Sequence, residues 1–224
     1  MRMRRKKNID SRINACDNIV MQKSSDIYRK PESERYDVIN LIELFKNDNP
    51  LEVEIGCGKG KFIIEKAKRN KNVNYIGVEI INNVIISGAE VAKKEGLNNV
   101  KFLNVGAEIL QYVLPKNSIS KIYLNFSCPY PKKQYANHRL TYSYFLNIYK
   151  MLMKSDAEII MKTDSDSLFE FSLESLVENG FTLKNVTDDL YSNLPSDNIQ
   201  TEYEEKFVSQ GKKIHKLEAY IKED

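Results

Sequence analysis

A short apolar run that leads directly into a glycine loop constrains the fold of this chain more than any other feature. Residues 51–62 read L-E-V-E-I-G-C-G-K-G-K-F, in which Leu51–Ile55 has the pattern of a buried strand and residues 60–70 that of a helix. The three glycines between them (56, 58 and 60) let the chain turn sharply and let a ligand approach the backbone. The segment therefore predicts a strand, a tight turn and a helix in direct succession.

The same alternation continues to the end of the chain. Further strands are predicted at 73–78, 100–104, 119–126, 157–161, 181–186 and 214–221, and helices at 82–95, 141–154 and 166–179. Seven strands that alternate with helices of this length indicate a doubly wound α/β sheet with helices on both faces. Ligands of such sheets bind at the carboxyl ends of the strands, so functional residues are expected there.

The start of the chain departs from this pattern. Residues 1–12 hold six basic side chains and one acid, Asp10. They predict a basic N-terminal arm over residues 1–31, extended and flexible when no partner is bound. Residues 32–224 are predicted to form a single domain. It would begin with a helix at 32–46 whose apolar face carries Val38, Leu41, Ile42 and Phe45.

Charge is distributed unevenly, although the net charge is only +3. Residues 121–155 contain six basic residues and no acid, whereas residues 158–205 contain twelve acids and two lysines. Together with the basic start, this distribution suits a protein that binds a polyanion such as a nucleic acid. A solvated surface without a partner is the alternative interpretation.

The composition argues against several classes of protein. No apolar run approaches the length of a membrane-spanning helix, and the basic start is not followed by the apolar core of a secretory signal. The three cysteines (16, 57 and 128) are an odd number without metal-site spacing, so neither a disulfide framework nor a metal centre is expected. This use of cysteine favours the reducing cytoplasm.

Two acids accompany the glycine loop. Glu54 lies near the end of the first predicted strand, and Glu79 ends the second, nineteen residues after Gly60. A carboxylate in the place of Glu79 can accept hydrogen bonds from both hydroxyls of a ribose. Glu54 would repel the pyrophosphate of a dinucleotide but attract the ammonium and sulfonium of S-adenosylmethionine. The loop therefore favours S-adenosylmethionine, and a tight turn without a ligand is the alternative.

A proline loop follows the predicted strand at 119–126. Residues 123–140 read Y-L-N-F-S-C-P-Y-P-K-K-Q-Y-A-N-H-R-L. Its tyrosines could stack on a base and its basic residues could hold phosphates, these being Tyr130, Tyr135, Lys132, Lys133 and Arg139. Aromatic and basic side chains beside a nucleotide-type donor indicate a nucleic acid as substrate. A rigid surface loop with tyrosines packed on the core is the alternative.

Several segments together carry the pattern of a known family. Besides the glycine loop they are M-R-M-R at the start, Y-I-G-V-E at 75–79, Y-L-N-F-S-x-P-Y-P-K-K at 123–133, K-T-D at 162–164, L-F-E-F-S-L at 168–173 and T-E-Y-E-E-K-F at 201–207. In order and spacing the chain resembles the bacterial tRNA (guanine-N7)-methyltransferase family over essentially its whole length. The resemblance implies a Rossmann-like class I methyltransferase fold with an antiparallel last strand. It also implies transfer of a methyl group from S-adenosylmethionine to N7 of guanine 46 in the tRNA variable loop, forming 7-methylguanosine.

The resemblance further implies roles for individual residues. The donor-binding residues would be Glu54, Gly56, Gly58, Glu79 and Gly106. The substrate-binding residues would be Lys132, Asp164, Thr201, Glu202, Tyr203 and Glu204. The catalytic residues would be Asp164 and Cys128, which occupies the position of the active-site aspartate of the family.

Three departures from the family pattern stand out. Cys128-Pro129-Tyr130-Pro131 replaces the usual Asp-Pro-Trp-Pro, and the chain contains no tryptophan, including the one usual in the arm. Gly106 replaces an acid that contacts the adenine amine, a contact that Glu108 or a backbone group would have to supply. Guanine N7 has a free lone pair and no proton to remove, so positioning and electrostatics should still give a working enzyme. Cys128 is then a small residue that fills space.

Other functions remain open at this point. A small-molecule methyltransferase would account for the glycine loop and Glu79 but not for the basic segments. A tRNA-binding protein with a degenerate site would account for Cys128 and Gly106. An enzyme that methylates the adenine amine is disfavoured, because Cys128 stands where such an enzyme would have Asn or Asp. The sequence is compatible with a monomer or a homodimer, and it gives neither histidine, at 138 or 215, a role.

Overall fold

The computed structural model describes residues 7–20 and 36–221, which form eight strands and eight α-helices. The strands are Ile19–Val20 (β1), Leu51–Ile55 (β2), Asn74–Val78 (β3), Val100–Leu103 (β4), Ile119–Asn125 (β5), Met153–Thr163 (β6), Phe181–Thr187 (β7) and His215–Ile221 (β8). The helices are Ile9–Asn14 (α1), Leu41–Phe45 (α2), Lys61–Arg69 (α3), Asn82–Lys94 (α4), Leu110–Val113 (α5), Ser143–Leu152 (α6), Asp166–Glu178 (α7) and Glu202–Ser209 (α8). They belong to two compact units, Met1–Pro115 and Lys116–Asp224.

The strands of the first unit lie in the order β1-β4-β3-β2 and all run parallel. Val53 pairs with Ile76 in register, and both side chains are completely buried. Tyr75 and Phe102 are buried as fully, and they belong to a core that helices α1, α3 and α4 share with β3 and β4. Because the strands are parallel, the carboxyl ends of β2, β3 and β4 lie at one edge.

The prediction of an extended arm is wrong for the part of residues 1–31 that the structure describes. Residues 9–14 form α1, which packs on α4 through a two-pronged ion pair between Arg12 and Glu90 at 2.7 and 2.6 Å. Ile9 and Ile13 are buried, and Ile19–Val20 adds the eighth strand beside β4, one more than predicted. Burying apolar side chains at these spacings in a helix is more favourable in free energy than leaving them exposed in an extended segment. Residues 1–6 and 21–31 lie outside the described residues.

The helix predicted over 32–46 is much shorter in the structure, and its first residues, 32–35, lie outside the described part. Helix α2 begins after Asn40, whose side chain accepts a hydrogen bond from the Glu43 N–H. Residues 36–40 form neither a helix nor a strand, and the Ile39 N–H donates to the carbonyl of Val113 at 2.8 Å. Val38 and Ile42 are 62% and 63% exposed. The predicted apolar face is therefore wrong at Val38 and Ile42, whereas Phe45 is buried as predicted.

The second unit orders its strands β5-β6-β8-β7. Strands β5 and β6 are parallel, and β8 is antiparallel to both of its neighbours. The antiparallel last strand is thus confirmed. Strand β6 is longer than predicted and starts at Met153, directly after α6. The carboxyl ends of β5 and β6 lead at one edge into the proline loop and the segment that begins at Asp164.

Candidate active site

The glycine loop after β2 is a turn that only glycine adopts easily. Gly56, Gly58 and Gly60 have φ of 78°, 57° and 77°, which is the left-handed region. The N–H groups of Gly56 and Cys57 both donate to the carbonyl of Val78, at 2.8 and 3.0 Å. These hydrogen bonds fix the start of the loop to the end of β3. Because the three glycines have positive φ, any other residue at these positions is expected to be strained.

Space around the glycines distinguishes their roles. A Cβ atom placed on Gly60 would lie 3.0 Å from the Phe102 ring, so this glycine allows close packing on β4. A Cβ atom on Gly56 or Gly58 would meet no heavy atom of residues 7–20 and 36–221 within 4 Å. The backbone of the loop at Gly56 and Gly58 therefore faces open space among the described residues.

Acidic groups surround this loop. Glu54 is only 2% exposed, and the partly buried Glu79 accepts a hydrogen bond from the Ile81 N–H at 2.9 Å. Burial first, and then the charges of Glu54 and Glu79, raise the pKa of the Cys57 thiol well above its usual range. Both carboxylates therefore act on the loop itself. A negative field of this kind disfavours a pyrophosphate and favours a cation.

Gly106 opens the short 3₁₀ turn Ala107–Ile109 after β4. A Cβ atom on Gly106 would lie 2.6 Å from the carboxyl carbon of Glu108. The Glu108 carboxylate thus occupies the space that a side chain at position 106 would take. An acid therefore lies beside position 106, although residue 106 itself is a glycine.

Hydrogen bonds with buried groups of the second unit fix the proline loop. Phe126 begins it and donates its N–H to the carbonyl of Lys162 at 2.8 Å. Arg139, which the sequence suggested for phosphate binding, is 7% exposed and donates to the carbonyls of Pro129 and Tyr130, both at 3.0 Å. Its guanidinium also lies over the ring of Phe171. Arg139 is therefore a structural residue of the loop, and the suggested phosphate contact is wrong.

The exposed part of the proline loop carries the other predicted residues. Cys128 is exposed, as are Lys132 and Lys133. Burial, followed by the charge of Cys128 and a hydrogen bond to it, raises the pKa of the Tyr130 hydroxyl. Phe126 and Tyr130 have positive φ of 50° and 42°, an unfavourable conformation for aromatic residues that often marks functional loops. Cys128 is thus presented from a strained, internally fixed loop.

Asp164 follows β6 and lies in a cluster of cations and aromatic rings. Its Oδ2 accepts a hydrogen bond from Lys212 Nζ at 2.6 Å. Lys212 also lies over the ring of Phe207, which packs against both Phe126 and Tyr203. The cluster therefore brings Asp164, the start of the proline loop and the 56% exposed Tyr203 together.

Residues 201–204 begin α8 but face different surroundings. Thr201 caps the helix, since its Oγ1 accepts from the Glu204 N–H at 3.0 Å. Glu202 and Tyr203 are exposed, whereas Glu204 is completely buried and ion-paired with Lys162. Both Glu204 oxygens accept hydrogen bonds within the unit. This burial does not fit the predicted direct contact between Glu204 and substrate.

Sequence reasoning missed Lys162, Phe207 and Lys212 as members of this site. The (i, i+4) spacing of Tyr203 and Phe207 on a helix could have suggested that their rings stack. Nothing in the sequence alone pairs Lys212 with Asp164, which lies 48 residues earlier. In the described ranges no helix is long and apolar enough to span a membrane, and no three His, Cys, Asp or Glu side chains are grouped to hold a metal ion.

A solved structure with this architecture is a methyltransferase. The 16S rRNA methyltransferase KamB aligns over 84% of this chain and 95% of its own, with a TM-score of 0.64 and 14% identity. At this identity the likeness concerns the fold alone, and it confirms the predicted doubly wound α/β fold. A doubly wound α/β sheet with a glycine loop after β2 is therefore the fold class of this chain.

Sequence comparison narrows this class to a family. A family model described as "Putative methyltransferase" matches residues 48–217. The tRNA (guanine-N(7)-)-methyltransferase of Macrococcus caseolyticus is 41% identical over 219 residues, 98% of this chain and 99% of that protein. The enzyme of the same name from Geobacillus kaustophilus is 48% identical over 177 residues, 79% of this chain and 82% of that protein. The chain belongs to the tRNA (guanine-N7)-methyltransferase family, as its resemblance predicted.

Proposed function

We propose that this protein transfers a methyl group from S-adenosylmethionine to N7 of guanine 46 in the variable loop of tRNA, in the cytoplasm. The observation that carries the proposal is the acidic glycine loop in a chain whose relatives are named tRNA (guanine-N7)-methyltransferases. S-Adenosylmethionine supplies a methyl group that its sulfonium makes electrophilic. The residues of this chain bind that donor and orient the guanine.

The first unit fits the donor. Gly56 and Gly58 leave open backbone, and Glu79 follows β3, where its carboxylate can accept hydrogen bonds from the ribose hydroxyls. The charges of Glu54 and Glu79 on the loop favour the sulfonium and ammonium groups. Glu108, beside Gly106, offers an acceptor for the adenine amine.

The second unit carries the groups proposed to orient tRNA. Asp164 can accept from both guanine N1–H and N2–H₂ once Lys212 gives way, a pairing that adenine does not offer. Exposed Tyr203 offers a ring on which a base can stack, and exposed Lys132 can meet phosphates. Guanine N7 attacks the methyl carbon in line with the departing sulfur and becomes cationic. No base is needed, so orientation and the Asp164 charge supply most of the acceleration.

One assay tests the function directly. Purified protein is incubated with methyl-labelled donor and total tRNA, and the digested nucleosides are analysed. We expect label in 7-methylguanosine and in no other nucleoside. Label elsewhere, or none with saturating donor and tRNA, contradicts the proposal.

Substitution of Cys128 tests whether charge or geometry dominates the chemical step. Because N7 needs no deprotonation, we expect Cys128→Ser to keep the single-turnover methylation rate within about tenfold, or ~1.4 kcal/mol of barrier. Cys128→Asp should raise the rate if a carboxylate there stabilises cationic guanine. A large loss in Cys128→Ser, combined with a wild-type rate that follows thiol ionisation as pH rises, would instead identify a catalytic thiolate.

The basic start of the chain can be tested without disturbing α1. Changing Arg2, Arg4, Arg5, Lys6 and Lys7 to Gln should weaken tRNA binding and flatten its salt dependence, by about 0.9 in log–log slope for each phosphate that is no longer neutralised. Donor affinity should not change. A control that neutralises exposed Lys71 and Lys94 should keep the wild-type slope. An unchanged slope in the five-residue variant would show that these cations do not contact tRNA phosphates.

A further inference from the structure

A buried ion pair joins the end of β6 to the start of α8. The side chains of Lys162 and Glu204 are 5% and 0% exposed, and Lys162 Nζ donates to Glu204 Oε2 at 2.5 Å. Lys162 precedes Asp164 by two residues, and Glu204 follows Thr201 and Tyr203 on the first turn of α8. The pair therefore connects two segments that are both proposed to bind substrate.

The contacts of this pair extend to the start of the substrate segment, which we define as residues 198–204. Lys162 Nζ also donates to the carbonyl of Ile199 at 2.9 Å and to Asn198 Oδ1 at 3.3 Å. Glu204 Oε1 accepts from Asn198 Nδ2 at 2.9 Å and from the Tyr191 hydroxyl at 3.1 Å. Gln200 in turn donates to that hydroxyl. One cation and one carboxylate thus fix Asn198 and Ile199 directly and Gln200 through the Tyr191 hydroxyl.

Stability alone is a weak reason for such an arrangement. Burying two charges costs desolvation energy that their attraction often only offsets, and an apolar pair of similar volume can be equally stable. The hydrogen bonds of Lys162, in contrast, specify where the backbone of the segment lies. A function in positioning accounts for the geometry better than one in stability.

We propose that Lys162 is a positioning residue for tRNA methylation, which holds Thr201 and Tyr203 against the Asp164 end of β6 through its ion pair with Glu204. The inference rests on the proposed function. It assigns Glu204 to an internal clamp, formed by Lys162 and Glu204, rather than to direct contact with guanine. It also accounts for specificity, because a base stacked on Tyr203 is aligned with Asp164 only while this ion pair is intact.

Two variants separate positioning from stability. Lys162→Met alone leaves a buried carboxylate without its cation, and should lower Tm by roughly 10 °C. Lys162→Met combined with Glu204→Gln removes both charges while the amide oxygen can still accept from Asn198 and Tyr191. This double variant should recover most of the lost Tm. Lys68→Met, which breaks an exposed pair with Glu95, is the matched control and should change neither Tm nor activity.

Kinetics then decide the role. For the double variant we expect wild-type donor affinity by calorimetry but kcat/KM for tRNA lowered by roughly 10²-fold, because the substrate segment is no longer held in register. Recovery of both Tm and kcat/KM would make the pair purely structural and overturn the inference. Loss of donor affinity in the folded double variant would also overturn it.

A milder substitution covers the case in which the double variant does not fold. Tyr191→Phe removes only the hydroxyl that links Glu204 to Gln200. We expect a roughly tenfold lower kcat/KM for tRNA with unchanged donor affinity, and a wild-type kcat/KM would contradict the clamp. The wild-type protein is assayed first. If it does not methylate tRNA, the proposed function itself fails and the positioning role falls with it.

Discussion

Replacing Gly56 by alanine is expected to weaken the binding of S-adenosylmethionine by about 2 kcal/mol, or roughly 30-fold in Kd. The added methyl group would project into the open space beside the glycine loop, where no atom of the described residues lies within 4 Å. In the proposed function the donor occupies this space, so the methyl group is expected to clash with the donor. Isothermal titration calorimetry with S-adenosylmethionine measures the effect.

Gly180 provides a matched control for this prediction. Its φ of 79° is nearly the same as the 78° of Gly56, and a Cβ atom there also meets nothing within 4 Å. Alanine at either position should cost about 1–2 kcal/mol of stability through the same left-handed strain. Only Gly56→Ala should lose donor affinity. If both variants bind the donor equally well, the donor does not lie on this loop.

Glu79→Gln is expected to weaken donor binding by about 1–3 kcal/mol, because two ribose hydroxyls lose a charged acceptor. The amide oxygen can still accept from the Ile81 N–H, so the local turn should persist. The substitution therefore changes the charge of the group and leaves the fold of the loop as it is. Titration calorimetry again provides the measurement.

An analogue of the donor sharpens this second prediction. S-Adenosylmethionine without its ribose 2′-hydroxyl should bind the wild-type protein more weakly, but should bind Glu79→Gln with little further loss. Glu95→Gln, at an exposed acid of the same unit, is the control and should bind both ligands as the wild type does. Equal losses on removing the hydroxyl in wild type and Glu79→Gln would show that Glu79 does not contact the ribose.

Most of the regular structure was predictable from local pattern. The apolar run at 51–55 is β2 as predicted, and the helices predicted at 82–95 and 166–179 differ from α4 and α7 by one residue. Gly96 and Gly180, at the ends of those helices, have positive φ as helix-terminating glycines usually do. These elements follow from spacing and glycine placement, which are properties of short stretches of sequence.

The errors lie where a segment's partner is remote in sequence. Residues 9–20 fall within the predicted extended arm, yet they bury Ile9 and Ile13 against α4, some seventy residues later. The apolar pattern at 32–46 predicts one helix, but residues 36–40 are not helical, and the Ile39 N–H donates to the carbonyl of Val113 instead. Hydrophobic periodicity depends on residues that are close along the chain, so it does not predict contacts with residues that are remote in sequence.

The sequence by itself determined the class of the fold and the family, and it located the glycine loop that we propose for the donor, because each depends on residue types at short, fixed spacings. Only the tertiary structure decided which charged side chains are exposed and which are buried against the protein. The sequence suggests that Arg139 and Glu204 bind tRNA, but both side chains are buried and form their bonds within their own unit. A charge buried in a folded chain needs a partner, and that partner is chosen by three-dimensional proximity rather than by position in the sequence.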